Sequence, residues 1–234
     1  MNRRNLLLGA FAALGLGGWY LTSNRASTTV AFPGASLNDD TAQLPGAANA
    51  QTTSDGGDTA SIPDMIAGNP DAAVEIIEYA SFTCPHCASF HTGAYKQLKT
   101  EYIDTGKIKF VYREVYFDRF GLWASLVARC GGPEKFFGIT DLLYAEQAKW
   151  TRAGDPAAIV AELRKIGRLA GLDNETLEAC LQNGERAQTL VAWYQENAEA
   201  DAIDSTPSFI INGKKHSNMS YADMKQIIDD ALAG

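Results

Sequence analysis

Two cysteines separated by two residues, Cys84-Pro85-His86-Cys87, carry the densest chemistry in this chain. They follow an apolar β-prone run and stand where a helical pattern begins. A thiol at a helix N-terminus lies near free backbone N–H groups and the positive end of the helix dipole, and both favour the thiolate. Pro85 suits the first helical turn, where its missing N–H costs little. His86, when protonated or donating a hydrogen bond, would steady a Cys84 thiolate further. A stabilised thiolate makes the dithiol form stable and therefore makes the disulfide a strong oxidant. The two-residue spacer lets Cys87 attack a mixed disulfide formed at Cys84. The spacing thus points to thiol–disulfide exchange, with Cys84 attacking and Cys87 resolving. A zinc half-site or a purely structural bridge would share the spacing. Zinc wants four ligands, however, and the sequence has no second CxxC and no HxxxH.

The surrounding elements must hold that motif in place. Ala73–Tyr79 (AVEIIEY) reads as a central strand, Ala80–Thr83 as a turn, and a helix is expected from Cys84 to about Thr105. Lys107–Tyr116 (KIKFVYREVY), rich in β-branched and aromatic residues, reads as the next strand. Strand, helix and strand predict a βαβ unit with parallel pairing and a right-handed crossover. From Phe120 to about Ala200 helical patterns dominate, broken at Gly131-Gly132-Pro133, Gly154-Asp155-Pro156 and Gly171-Leu172-Asp173. These breaks predict several short helices, with Phe136, Phe137, Leu142 and Leu143 in the core. Ser208–Ile211 and a strand from Lys214 flank Asn212-Gly213, a strong hairpin turn. Ser220 is the expected N-cap of a last helix whose Met224, Ile227, Ile228 and Leu232 share one face.

The N-terminus bears on where such chemistry would run. Arg3 and Arg4 precede an apolar stretch from Leu6 to Leu21, the pattern of an export signal or, at this borderline length, an uncleaved anchor. The adjacent arginines also loosely resemble a twin-arginine signal. Residues 1–26 are therefore expected to be a signal peptide or membrane anchor. Residues 27–61, rich in Ala, Thr, Gly, Ser and Asp, are expected to be a flexible linker, with the folded body at 62–234. The formal charge of −8 becomes more negative still once the three arginines of the first segment are set aside, which argues against nucleic acid as a partner. In an exported chain an even cysteine count favours disulfides. Cys130 and Cys180 then read as a structural bridge, with a redox-tuning or electron-transfer pair as the alternative. Closing a loop of about 50 residues would contribute a few kcal/mol.

The stretch Glu78-Tyr-Ala-Ser-Phe-Thr-Cys84-Pro-His-Cys87 resembles the DsbA family of periplasmic dithiol oxidases. The resemblance extends over most of Ile62–Gly234, including the helical region, the segment Thr206-Pro-Ser-Phe-Ile-Ile-Asn-Gly213 and the final helix. It implies an α/β thioredoxin fold with a helical subdomain inserted at about 118–200. It implies that Pro207 is a cis-proline facing the CxxC motif, with the preceding backbone aligning an incoming peptide. Thr206 stands where the best-known DsbA has valine; threonine there is common in related isomerases, and the position tunes the redox potential. Glu78 matches the family's buried acid beside the resolving cysteine, able to relay a proton to or from Cys87, with Glu75 as the rival. His91 and His216 receive no role. The resemblance further implies a periplasmic monomer without bound cofactor. It would act on reduced or unfolded exported proteins and be reoxidised by a DsbB-like membrane quinone reductase. The rival readings are a reductase or isomerase of the same fold, and a metal-binding or chaperone module. Known dimeric isomerases carry a folded N-terminal dimerisation domain, which residues 27–61 look unable to make.

Overall fold

The computed structural model describes residues 57–234. The signal or anchor expected at 1–26 and most of the linker expected at 27–61 lie outside the described residues. Within the described part, Asp58 caps a single 3-10 turn at Thr59–Ser61, and Ile62 is already buried.

Five strands form one mixed sheet in the order β1-β3-β2-β4-β5. β2 (Val74–Ala80) and β3 (Ile108–Glu114) run parallel at its centre. β2 is covered on both faces, which is why it reads as a nearly unbroken apolar run rather than an alternating one. β1 (Met65–Gly68) pairs antiparallel with β3 and was not foreseen. Four residues ending in glycine give too weak a pattern to mark a strand. β4 (Ser208–Ile211) lies antiparallel to β2, and β5 (Lys214–Ser217) closes the hairpin. Asn212 and Gly213 both take positive φ, 44° and 79°, as a two-residue turn of this hand requires.

The crossover from β2 to β3 is not the single helix expected from Cys84 to Thr105. It divides into α1 (Pro85–Thr92), α2 (Ala94–Leu98) and a π-helical turn at Lys99–Ile103. Gly93, at φ −123° and ψ −91°, leaves the helical region and breaks the first helix from the second. Between β3 and β4 come six helices: α3 (Arg119–Cys130), α4 (Gly132–Ala145), α5 (Gln147–Trp150), α6 (Pro156–Leu169), α7 (Asn174–Leu181) and α8 (Gly184–Ala200). Aspartates cap three of them: Asp118, Asp155 and Asp173 each accept a backbone N–H of the first turn. Phe136 and Leu143 are buried as expected, whereas Phe137 and Leu142 lie half-buried at the edge of the core. α9 (Tyr221–Ala233) starts at Ser220, whose hydroxyl accepts from the Asp223 N–H. Its buried face is narrower than expected: Met224 and Ile228 are buried, Ile227 is half-buried and Leu232 is exposed. Among the described residues no helix is long and apolar enough to cross a membrane.

Candidate active site

β2 ends at Ala80, and Ser81, Phe82 and Thr83 turn the chain into α1 with Cys84 as its N-cap. Cys84 has extended backbone angles, φ −79° and ψ 120°, and Pro85 occupies the first helical position. The Cys84 N–H donates to the Ser81 carbonyl at 3.1 Å, which tightens the turn.

The helices between β3 and β4 grip this turn at consecutive points. Tyr144 Oη of α4 donates to the Ser81 carbonyl at 3.2 Å. Gln147 Nε2 of α5 donates to the Phe82 and Cys84 carbonyls at 2.8 and 2.9 Å. Thr83 Oγ1 donates to Asp118 Oδ2 at 2.8 Å, while Asp118 Oδ1 accepts the first-turn N–H groups of Phe120 and Gly121 at the head of α3. Three inserted helices therefore fix the loop that presents Cys84. Sequence reasoning missed Gln147, Tyr144, Asp118 and Thr83, because nothing in their local spacing signals a partner so distant in the chain.

Both Cys84 and Cys87 are thiols in this structure. Cys84 is 8 % exposed and Cys87 is 0 %, so an incoming thiolate has access to the first sulfur alone. The hydrogen bond from the Cys87 thiol, with further help from Thr206 and the backbone N–H groups of Cys87 and His86, lowers the Cys84 thiol from an ordinary value near 9 to about 5. Burial opposes that shift and loses to the hydrogen bonds. Cys87 is pushed strongly the other way, first by burial, then by the bond it gives to Cys84 and by the charge of Glu78. One sulfur is thus set to be a thiolate and the other a thiol. His86 contributes through its backbone; its ring is exposed.

Across the sulfurs lies the chain just before β4. The Thr206–Pro207 peptide bond is cis, and the Thr206 carbonyl accepts the Cys84 thiol at 3.5 Å. Thr206 Oγ1 is buried.

Glu78, on β2, is fully buried, whereas Glu75 is partly exposed and pairs with Lys109 at the surface. Glu78 Oε2 lies 2.8 Å from His91 Nε2, also buried, on the far end of α1. The structure thus brings to Glu78 a histidine whose local spacing offers no reason to single it out. His216 sits on β5 opposite Phe209, which lies between it and Glu78 in the sheet. Cys130 and Cys180 are joined by a disulfide that ties the end of α3 to α7.

Comparison with known proteins bears on the family and the fold. A family model described as thioredoxin matches residues 60–230. A Rickettsia bellii protein, named provisionally as a protein-disulfide oxidoreductase, is 35% identical over 170 residues, covering 72% of this chain and 64% of that protein. The match therefore spans less than two thirds of that relative. Disulfide bond formation protein D of Bacillus subtilis is 24% identical over 195 residues, covering 78% of this chain and 85% of that one. The crystal structure of α-DsbA1 from Wolbachia pipientis superposes with a TM-score of 0.68 at 26% identity, covering 73% of this chain and 91% of that chain.

Proposed function

This chain belongs to the thioredoxin superfamily, in its DsbA-like group, and from that premise we propose that it is a protein thiol:disulfide oxidase of the bacterial periplasm. The observation that carries the reading is the opposite setting of the two sulfurs: Cys84 is lowered to about 5 while Cys87, buried beside Glu78, is raised. A dithiol stabilised in this way gives up its electrons reluctantly, so the corresponding disulfide oxidises others.

In the forward reaction a substrate thiolate attacks Cys84 Sγ of the Cys84–Cys87 disulfide, and Cys87 leaves. A second substrate thiolate then attacks its own sulfur in the mixed disulfide, and Cys84 departs as the stable thiolate. The substrate gains a disulfide and the enzyme is left as the dithiol. The chain next to Pro207 is the place for an extended substrate segment, with the Thr206 backbone aligning it beside Cys84. Cys84 is the catalytic nucleophile and Cys87 the resolving thiol; Pro85 starts the helix, the His86 backbone and Thr206 help hold the thiolate, and Glu78 serves as proton relay to Cys87. Substrates are reduced or unfolded exported proteins. Reoxidation falls to a DsbB-like membrane quinone reductase, and the enzyme works as a monomer without bound cofactor. The Cys130–Cys180 bridge supports an oxidising compartment, where such bonds persist.

Thr206 favours one second reading, a reductase or isomerase of the same fold, because threonine at this place beside Cys84 is common in related isomerases. The test is oxidative refolding of a reduced, unfolded substrate by the stoichiometric disulfide form. The oxidase transfers its bond to the substrate, and Cys84→Ser abolishes the transfer. A protein that instead only reduces substrate disulfides, and needs an electron donor to do so, is a reductase.

A further inference from the structure

The head of α3 is locked to the loop that presents the nucleophile. Ala80 and Glu114, the last residues of β2 and β3, stand in register, so both strands leave the sheet at one edge. Cys84 heads the helix after the first strand, and Arg119 opens the helix after the second. Thr83, one residue before Cys84, donates through Oγ1 to Asp118 Oδ2 at 2.8 Å. A Cβ added at Gly121 would stand 3.4 Å from Ser81 Oγ and 3.6 Å from Thr83 Oγ1, so the first turn of α3 packs directly on that loop. The Arg119 guanidinium lies 5.2 Å from the centre of the Phe120 ring and 5.7 Å from that of Trp123, and the two rings meet edge to face at 5.4 Å. Rings take the face of a guanidinium and leave the N–H fork at its edge for an oxygen acceptor. Among the described residues no carboxylate pairs with Arg119 and no side chain or carbonyl accepts from it. Its neighbour Asp118 is engaged by Thr83 and by the N–H groups of Phe120 and Gly121. Nor does the cation serve the helix, because the first helical position faces the positive end of the dipole, where acids stabilise and bases do not. Arg119, Phe117 and Phe120 are all half-buried, so each keeps a face toward solvent.

We propose that Arg119 is a specificity-determining residue, which receives an acidic side chain lying two or three positions from the reactive cysteine of the substrate. The inference deepens the oxidase reading and rests on it. In a chain of formal charge −8, an unpaired cation beside the nucleophile's loop is a local reversal of sign, and such a reversal steers partners of opposite charge. An extended chain advances about 3.3–3.6 Å per residue, so two or three residues span roughly 7–10 Å. That is enough to cross from the Cys84 loop to a helix packed directly on it. The exchange itself is unaltered. The substrate thiolate attacks Cys84 Sγ, the Cys84–Cys87 bond breaks, and its electron pair goes to Cys87. Arg119 takes no proton and no electron; its fork holds the flanking carboxylate while the sulfurs react. The other flank of the sulfurs offers no rival cation, because Lys215 near the Thr206–Pro207 bond is already paired with Asp204. Acidic flanks are therefore favoured over basic ones at the encounter of substrate and enzyme.

The test follows oxidation of unstructured dithiol peptides by the disulfide form of the full chain, its Arg119→Gln variant and its Arg119→Lys variant. The peptides differ only in carrying Glu or Lys at the positions two and three residues before or after the first cysteine. Each rate is divided by that peptide's rate with bis(2-hydroxyethyl) disulfide, which removes the effect of the flanks on the peptide thiol itself. The expected result is a preference of the wild type for Glu over Lys of about two- to fivefold per charge on the favoured side, the range of an exposed ion pair. Added salt should shrink that preference. Arg119→Gln should bring it close to one and Arg119→Lys should retain part of it, while the Cys84 alkylation midpoint stays at about 5 in both. Equal rates for Glu and Lys peptides in the wild type overturn the inference, as does a preference that survives in Arg119→Gln. A lost preference that travels with a displaced alkylation midpoint also overturns it, since the substitution would then have acted through the fold of the site. If Arg119→Gln fails to fold, the salt dependence in the wild type and the reduced preference in Arg119→Lys carry the same comparison. A wild-type disulfide that oxidises none of the peptides would instead sink the oxidase reading, and this inference with it.

Discussion

Gln147 reaches back across the fold to donate to the carbonyl of Cys84 at 2.9 Å, and with the same Nε2 to that of Phe82 at 2.8 Å. A buried side chain from the inserted helices thus fixes the backbone that aims the nucleophile. The insertion is part of the active-site scaffold as well as a cover over the sheet.

Replacing Gln147 with Leu keeps most of the volume and takes a donor from two carbonyls; that of Cys84 keeps the Ala88 N–H at 3.1 Å, whereas that of Phe82 loses its side-chain donor. The expected loss is about 1–3 kcal/mol of stability, the cost of an unsatisfied buried polar group. Denaturant unfolding of wild type and variant checks it, with a fall in midpoint at unchanged slope.

Asp118→Ala removes both the cap of α3 and the acceptor of Thr83 Oγ1. Loss of the cap alone costs about 1 kcal/mol. The released Thr83 should also loosen the turn before Cys84. Hydrogen exchange at the amides of residues 81–84 should speed up in the variant, and unchanged protection there would contradict the coupling.

The Cys84 thiolate links stability to pH. With its folded value lowered to about 5 from near 9, the unfolded dithiol binds more protons than the folded one between those limits. The stabilisation is therefore complete above about pH 9, declines through that window and is gone once pH falls below about 5. Melting temperatures of dithiol and disulfide forms, taken from pH 4 to 8.5, should show the advantage of the dithiol form growing with pH.

The Cys130–Cys180 bridge closes a loop with a sequence separation of 50. Its removal in Cys130→Ala/Cys180→Ala should cost about 2–4 kcal/mol by the chain-entropy argument. Calorimetry reads the loss. The alkylation midpoint of Cys84 should remain near 5, because none of the groups that lower it lies on α3 or α7.

Much of this arrangement was legible in the sequence because it is written locally. Asn212-Gly213 announces a turn with two positive φ values, Ser220 announces a helix start, and the cysteines announce a thiol at a helix N-terminus. What stayed hidden depends on tertiary packing. Glu78 and His91 are 13 residues apart on different elements, and no periodicity places one against the other. Gly93 gave no sign that it would leave the helical region, since glycine is tolerated within many helices. Leu232 fits an apolar stripe by spacing, but the core ends before reaching it.

The measurement that bears most directly on the account is the equilibrium redox potential of Cys84–Cys87 against glutathione at pH 7. A potential well above that of thioredoxin, about −270 mV, is predicted, because the Cys84 thiolate stabilises the dithiol form. A value close to thioredoxin's would contradict the oxidase assignment and make this chain a reductase that needs an electron donor.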